Sequence, residues 1–139
     1  MKFLHPTTYQ EVKLPLFLSK ISAGFPSPAD DMIEDTIDLN EYLISNRAAT
    51  YLVQVTGDSM IGAAICEGDI LAVDASLKPS DQKIVVASVE GEFTVKRYCV
   101  EKDKVFLKAE NENYHDIEIN PEDELRILGV VVGVVRKVK

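Results

Sequence analysis

Apolar positions along this chain come in short bursts rich in valine, isoleucine and aromatics. They run from Tyr51 to Thr56, Ile70 to Asp74, Ile84 to Glu90, Phe93 to Val100, Val105 to Ala109 and Arg126 to Val138. Each burst predicts a β-strand. Glu90-Gly91-Glu92 is short enough for a tight hairpin that pairs its flanking strands antiparallel. The stretch Val130 to Val135 is so uniformly apolar that it reads as a buried core strand rather than an interface strand. One helix is expected, starting after Asp38. There an acidic N-cap is followed by Glu41 at the third position, and Leu39, Tyr42 and Leu43 can share a face. No repeat or low-complexity tract interrupts the pattern. The fold class is mainly β, a compact, strongly bent antiparallel sheet or partial barrel.

The first stretch is different. Pro6, Pro15, Gly24, Pro26 and Pro28 punctuate it, breaking helices and strands and favouring extended chain. Residues 1–30 therefore read as a mobile N-terminal arm, and 31–139 as one compact domain. At 139 residues and 46% hydrophobic content the chain suits a single core.

Charge and composition narrow the function. The chain carries 15 basic and 23 acidic side chains, a net charge of -8. That charge repels a phosphate backbone and disfavours direct DNA binding. It is also uneven. Residues 1–23 hold Lys2, Lys13 and Lys20 against Glu11, whereas Asp30, Asp31, Glu34 and Asp35 just beyond read as a solvated acidic face. The longest apolar run, Ile127 to Val135, is far short of the roughly 20 residues of a membrane span. The first residues also lack a signal peptide's apolar centre, so the expectation is a cytoplasmic protein with no membrane contact. Cys66 and Cys99 are isolated, and His5 and His115 have no ligand spacing, so no metal or cofactor is expected.

Two residues invite chemistry. Ser59 sits in Val55-Thr56-Gly57-Asp58-Ser59-Met60, where a strand stops at a glycine and a polar turn presents one hydroxyl. A turn of this kind can expose a nucleophile and aim backbone N–H groups at a developing oxyanion. A serine that merely satisfies its own turn is the commoner use of such a string. Lys96 lies in Phe93-Thr94-Val95-Lys96-Arg97-Tyr98, on the face shared by Thr94 and Tyr98. It is either a solvent-facing lysine or, if buried, a general base. Neutrality in a group of reference pKa about 10.4 requires desolvation. With neither histidine in a triad pattern, Ser59 and Lys96 are the one nucleophile and base pair the residues support.

The strings GFPSPADD, GDSM followed by EGDILAVD, and GEFTVKR occur in that order over nearly the whole chain. Together they resemble the UmuD family of translesion-polymerase accessory subunits, which belongs with the LexA-type self-cleaving proteins. The resemblance implies a LexA-like C-terminal-domain fold, a Ser59 nucleophile, a Lys96 general base and self-cleavage at Ala23-Gly24. Small Ala23 suits a narrow pocket, and Gly24 removes a Cβ clash with the approaching nucleophile. Without the other motifs, these residues and the prolines after them read as a linker.

The resemblance also implies partners. The intact protein would be a homodimer that cuts itself when it meets an activated RecA filament on single-stranded DNA. The shortened dimer would then join a UmuC-like Y-family polymerase subunit for error-prone synthesis in the SOS response. Leu14, Leu16 and Phe17 resemble the short apolar peptides that dock on the replication sliding clamp, although the same cluster suits packing on the protein's own domain. Three other readings compete. A LexA-type repressor shares the serine and lysine, but the 23 residues before Gly24 are too few for its multi-helix DNA-binding unit. A signal peptidase would need a membrane anchor. A β-rich binding module would carry an inert Ser59.

Overall fold

The computed structural model of the chain describes residues 10–17 and 33–139, with Phe17, Ile33 and Glu34 described by backbone alone. Two compact units divide between Ser45 and Asn46. In the first, β1 (Leu14–Phe17) pairs antiparallel with β2 (Ile33–Ile37), Leu14 opposite Ile37 and Leu16 opposite Asp35. This pairing was not expected, because Pro15 argued against a strand. A proline fits here because β1 is an edge and its missing N–H leaves no ladder partner unsatisfied. α1 (Leu39–Leu43) follows. Asp38 caps it as expected, its carboxylate accepting from the Asn40 N–H at 2.9 Å and from the Val12 N–H at 3.2 Å. The helix buries none of its residues, and Leu39 and Tyr42 remain exposed.

The second unit is one sheet. It contains β3 (Thr50–Gln54), β4 (Ile70–Asp74), β5 (Ile84–Val89), β6 (Glu92–Glu101), β7 (Lys104–Lys108), β8 (Ile117–Ile119) and β9 (Leu125–Val135). The order is β3-β4-β9-β5-β6-β7-β8, and every neighbouring pair is antiparallel. The sheet is open, with β3 and β8 at its edges. The mainly β expectation and the strand bursts hold. Within this sheet the three-residue β8 alone had no sequence signal, since Ile-Glu-Ile is too short to show a period.

β5 explains why its sequence is a continuous apolar run. Ile84 and Val86 face one core cluster with Val55, Met60, Ile65, Leu71 and Val73, whereas Val85, Ala87 and Val89 face a second with Leu107 and Val130. A strand buried on both faces has no polar side to alternate with. The β5–β6 hairpin turns at Glu90 and Gly91, whose φ angles of 51° and 81° are the left-handed pair a two-residue turn requires. β9 is central in the sheet, but the expected buried core strand over Val130 to Val135 is only partly so: Val130 is buried, whereas Val132, Val134 and Val135 are exposed as β9 runs past the core. Two register shifts bend the strand. At Gly129 a Cβ would meet Val73 Cγ1 at 2.6 Å, so the bend depends on glycine there.

Candidate active site

Ser59 is held from below and from the side. Beyond β3, the Val55 N–H donates to the Asp69 carbonyl and the Gly68 N–H to the Val55 carbonyl, each at 2.8 Å. The chain turns at Gly57, φ +82°, and then Met60 and Ile65 bury their side chains in the core at 2% and 1% exposure. The hydroxyl between glycine and anchor is left half-buried. From the side, the segment after β7 grips the turn. The Glu110 N–H donates to the Ser59 carbonyl at 2.9 Å, and the Gly62 N–H donates to the Glu110 carbonyl at 2.8 Å. Asn111 Nδ2 donates to the Asp58 carbonyl at 2.9 Å, and the Tyr114 hydroxyl donates to Asp58 Oδ1 at 2.7 Å. This carboxylate contact pushes the Tyr114 phenol pKa up. Gly62 permits the grip, since a Cβ there would meet the Glu110 oxygen at 2.6 Å.

Lys96 comes from β6, opposite Val85 in the β5–β6 register, and is 7% exposed. Its Nζ lies 3.0 Å from Ser59 Oγ, 2.8 Å from Thr94 Oγ1 and 3.2 Å from the Val95 carbonyl. The Tyr114 ring centroid stands 5.8 Å away. Among the described residues no carboxylate forms an ion pair with it. Burial therefore acts unopposed by an anion and pulls its pKa below the ordinary lysine range. The partner set suits a neutral amine. Two N–H bonds are taken by Thr94 Oγ1 and the Val95 carbonyl, and one lone pair is left to accept the Ser59 proton. Such a pair can transfer a proton from hydroxyl to amine as the oxygen attacks an electrophile.

Beside Ser59 opens a cleft of about 470 Å³, lined chiefly by Val53, Val55, Val86, Phe93, Val95 and Leu128. Its walls are apolar, with Ser59 and Thr94 among the polar residues at its side. An extended apolar peptide suits it better than a charged one. The backbone N–H groups of Ser59 and Met60 donate to no protein acceptor among the described residues. On the far side of the same loop, Arg136 donates from Nε and Nη2 to Asp69, each at 2.6 Å, and from Nη2 to the Ala64 carbonyl at 2.9 Å.

Thus the fold brings together Ser59 and Lys96, 37 residues apart in sequence. Ala23 and Gly24 lie outside the described residues. Leu14 and Leu16 stand on β1, each 48% exposed, and Phe17 is its last residue. Sequence reasoning missed Asp58, Thr94, Glu110, Asn111 and Tyr114. Thr94 was legible, because position i−2 on a strand shares the face of Lys96. The segment containing Glu110, Asn111 and Tyr114 was not, because its contacts with the serine turn cross about 50 residues of chain. No helix among the described residues is long and apolar enough to cross a membrane. Nor do they contain a cluster of three or more His, Cys, Asp or Glu that could hold a metal.

Comparison with known proteins agrees with these motifs. The family model described as Peptidase S24-like matches residues 15–132. SamA of Salmonella typhimurium strain LT2 is 43% identical over 125 residues, covering 90% of this chain and 86% of SamA. ImpA of Escherichia coli is 40% identical over 125 residues, covering 90% of this chain and 85% of ImpA. MucA of Escherichia coli is 41% identical over 119 residues, covering 85% of this chain and 81% of MucA. The UmuD resemblance drawn from GFPSPADD, GDSM and GEFTVKR is borne out, and the chain belongs to the Peptidase S24-like family.

Proposed function

We propose that this chain is a self-cleaving serine peptidase of the UmuD type, cutting its own Ala23–Gly24 bond with Ser59 as nucleophile and Lys96 as general base. The observation that carries the reading is the 3.0 Å approach of Ser59 Oγ to a buried Nζ that has no carboxylate partner among the described residues. Neutral Lys96 takes the hydroxyl proton while Ser59 Oγ bonds to the Ala23 carbonyl carbon. The N–H groups of Ser59 and Met60 are the candidate donors to the resulting oxyanion. As the tetrahedral adduct collapses, the C–N bond breaks and Lys96 returns its proton to the Gly24 nitrogen. Water, deprotonated by the same amine, then hydrolyses the Ser59 ester. The products are an Ala23 carboxylate and a Gly24 amine, with enzyme and lysine restored.

The biological reading rests on the family. The cut is stimulated by a RecA filament on single-stranded DNA in the SOS response, and the processed homodimer serves a UmuC-like Y-family polymerase in translesion synthesis. The half-exposed Leu14 and Leu16 support a sliding-clamp peptide on β1, ending at Phe17. The chain's acidity supports a role through protein partners rather than direct DNA binding, and the same reading puts the protein in the cytoplasm. Mass spectrometry of purified protein mixed with RecA, single-stranded DNA and nucleotide tests the reading. A fragment of residues 24–139 is expected from the parent and none from Ser59→Ala. A cut Ser59→Ala chain removes the mechanism.

A further inference from the structure

The motif GEFTVKR ends on a cation that the proposed mechanism leaves unused, the Arg97 next to the base. Its side chain points to the opposite face of β6 from Lys96. There its Nε donates to Glu110 Oε1 in a partly buried ion pair, and Nη1 donates to the Gln82 carbonyl at 2.6 Å. Arg97 is opposite Lys108 in the β6–β7 register, so Glu110 stands two residues past the end of that pairing. The backbone of Glu110 holds the serine turn through two hydrogen bonds, from its own N–H to Ser59 and to its carbonyl from Gly62.

These contacts close a ring. It runs from Ser59 Oγ to Lys96 Nζ, along the strand to Arg97, across the ion pair to Glu110, and from the Glu110 N–H back to the Ser59 carbonyl. We infer that Arg97 and Glu110 are positioning residues that set the distance between the Ser59 hydroxyl and the Lys96 amine. Neither touches the reacting atoms. A strand that carries the amine on one face and grips the hydroxyl's turn from the other makes the two groups move as one body. The neighbouring hydrogen bonds from Asn111 and Tyr114 go to Asp58, the preceding residue of the turn, and not to β6, which Tyr114 meets through its ring alone. Besides the β6–β7 backbone pairing and the Tyr114 ring beside the amine, the Arg97–Glu110 contact is the side-chain hydrogen bond that, among the described residues, joins the grip to the strand of the base. Arginine suits the place because its planar fork reaches the carboxylate and the Gln82 carbonyl together, which an ammonium point charge does not reproduce.

The inference rests on the proposed function, and the test separates their failures. First-order self-cleavage of the full chain is followed from pH 7 to 11 in parent, Arg97→Met, Arg97→Lys, Glu110→Gln and Arg97→Met/Glu110→Gln chains. Lys108→Met, which removes the Lys108–Glu101 pair of β6 and β7, serves as the control. The elements meeting at the amine carry Asp58 on the serine turn, Glu92, Arg97, Tyr98, Cys99 and Glu101 on β6, and Glu110, Glu112, Tyr114, His115 and Asp116 after β7, and only Arg97 and Glu110 change in the test variants. Loosening the ring by a fraction of an ångström to 1 Å is expected to slow cleavage by about 10- to 100-fold in Arg97→Met and in Glu110→Gln. The double variant should be no slower than the worse single one. The alkaline midpoint should move upward as water reaches the amine, and Arg97→Lys should recover only part of the rate.

Thermal unfolding shows which variants fold, and Arg97→Lys and Glu110→Gln carry the test if Arg97→Met does not. Unchanged rates, additive losses, or losses with an unmoved midpoint overturn the inference. If the parent is not cut, or Ser59→Ala is, the proposed function fails instead. The Lys96 titration by side-chain NMR in an uncut Gly24→Val chain then still reads the ring, and an unmoved Lys96 midpoint in Arg97→Met overturns it.

Discussion

Two buried ionisable groups flank the same loop and meet opposite fates. Asp69, 2% exposed, receives two N–H donors from Arg136 and the Cys66 N–H at 2.8 Å. Arg136 and the backbone donor hold its carboxyl down to about 2. Lys96, 7% exposed, meets two hydroxyls and one carbonyl but, among the described residues, no opposite charge, and burial pushes its pKa down toward the neutral form. Burial is nearly equal; the partners differ. One group is locked in its charged form and ties the Ala64–Asp69 turn to the chain beyond β9. The other is kept from its charged form and left able to take a proton.

The largest break in that comparison is Lys96→Met, which keeps the stem and deletes the amine. Self-cleavage should fall by about 10²- to 10⁴-fold, the usual worth of a general base, measured as fragment yield at pH 9. Asp69→Asn should leave the alkaline midpoint of cleavage where it is, because Asp69 faces Arg136 and not the amine.

Next comes pH. Below the Lys96 midpoint each pH unit multiplies the neutral fraction, so the rate should rise about tenfold per unit and then level off. A flat profile from pH 7 to 10 would remove lysine as the base. Stability runs by a different sign for each group. Asp69 has a folded pKa of about 2 against an ordinary 3.8, so its stabilisation is present above that ordinary value and lost as pH falls through the folded one. Lys96 has a folded pKa below its unfolded one. Its desolvation penalty is therefore full at low pH and relieved as pH rises from the folded value to the unfolded one. Urea unfolding at a series of pH values should show the acid loss vanish in Asp69→Asn and the alkaline gain vanish in Lys96→Met.

Gly62→Ala is a smaller perturbation. Its Cβ would press on the Glu110 oxygen and should cost about 1–3 kcal/mol in unfolding free energy, with slower cleavage as the turn shifts. The smallest effect expected is on the midpoint of thermal unfolding at pH 7. Lys96→Met should melt slightly higher than the parent, since a destabilising buried amine is gone, whereas Asp69→Asn should melt lower. A Lys96→Met chain that melts lower would mean that its bonds to Ser59, Thr94 and Val95 outweigh desolvation.

Much of this is legible in the amino-acid sequence. The strands Ile70–Asp74 and Ile84–Val89 announce themselves because their side chains must fill a core on one or both faces. The Glu90-Gly91 turn and the Asp38 cap are local chemistry, decided by residues next to one another. Ser59 and Lys96 were nameable for the same reason, as a hydroxyl at a glycine turn and a lysine on a strand. β1 was hidden by Pro15, and its partner β2 lies beyond a long connection.

The amino-acid order by itself determined the strand menu, the turns, the acidity and the two reactive residue types, because each depends on neighbours a few bonds away. Only the tertiary structure decided that Lys96 lies opposite Val85 with no carboxylate partner among the described residues, that Ser59 stands 3.0 Å from it, and that Arg97 and Glu110 close the ring behind them. The physical reason is distance along the chain. Desolvation and hydrogen-bond geometry are set by residues 13 to 56 positions away, and no local period encodes which of them will arrive.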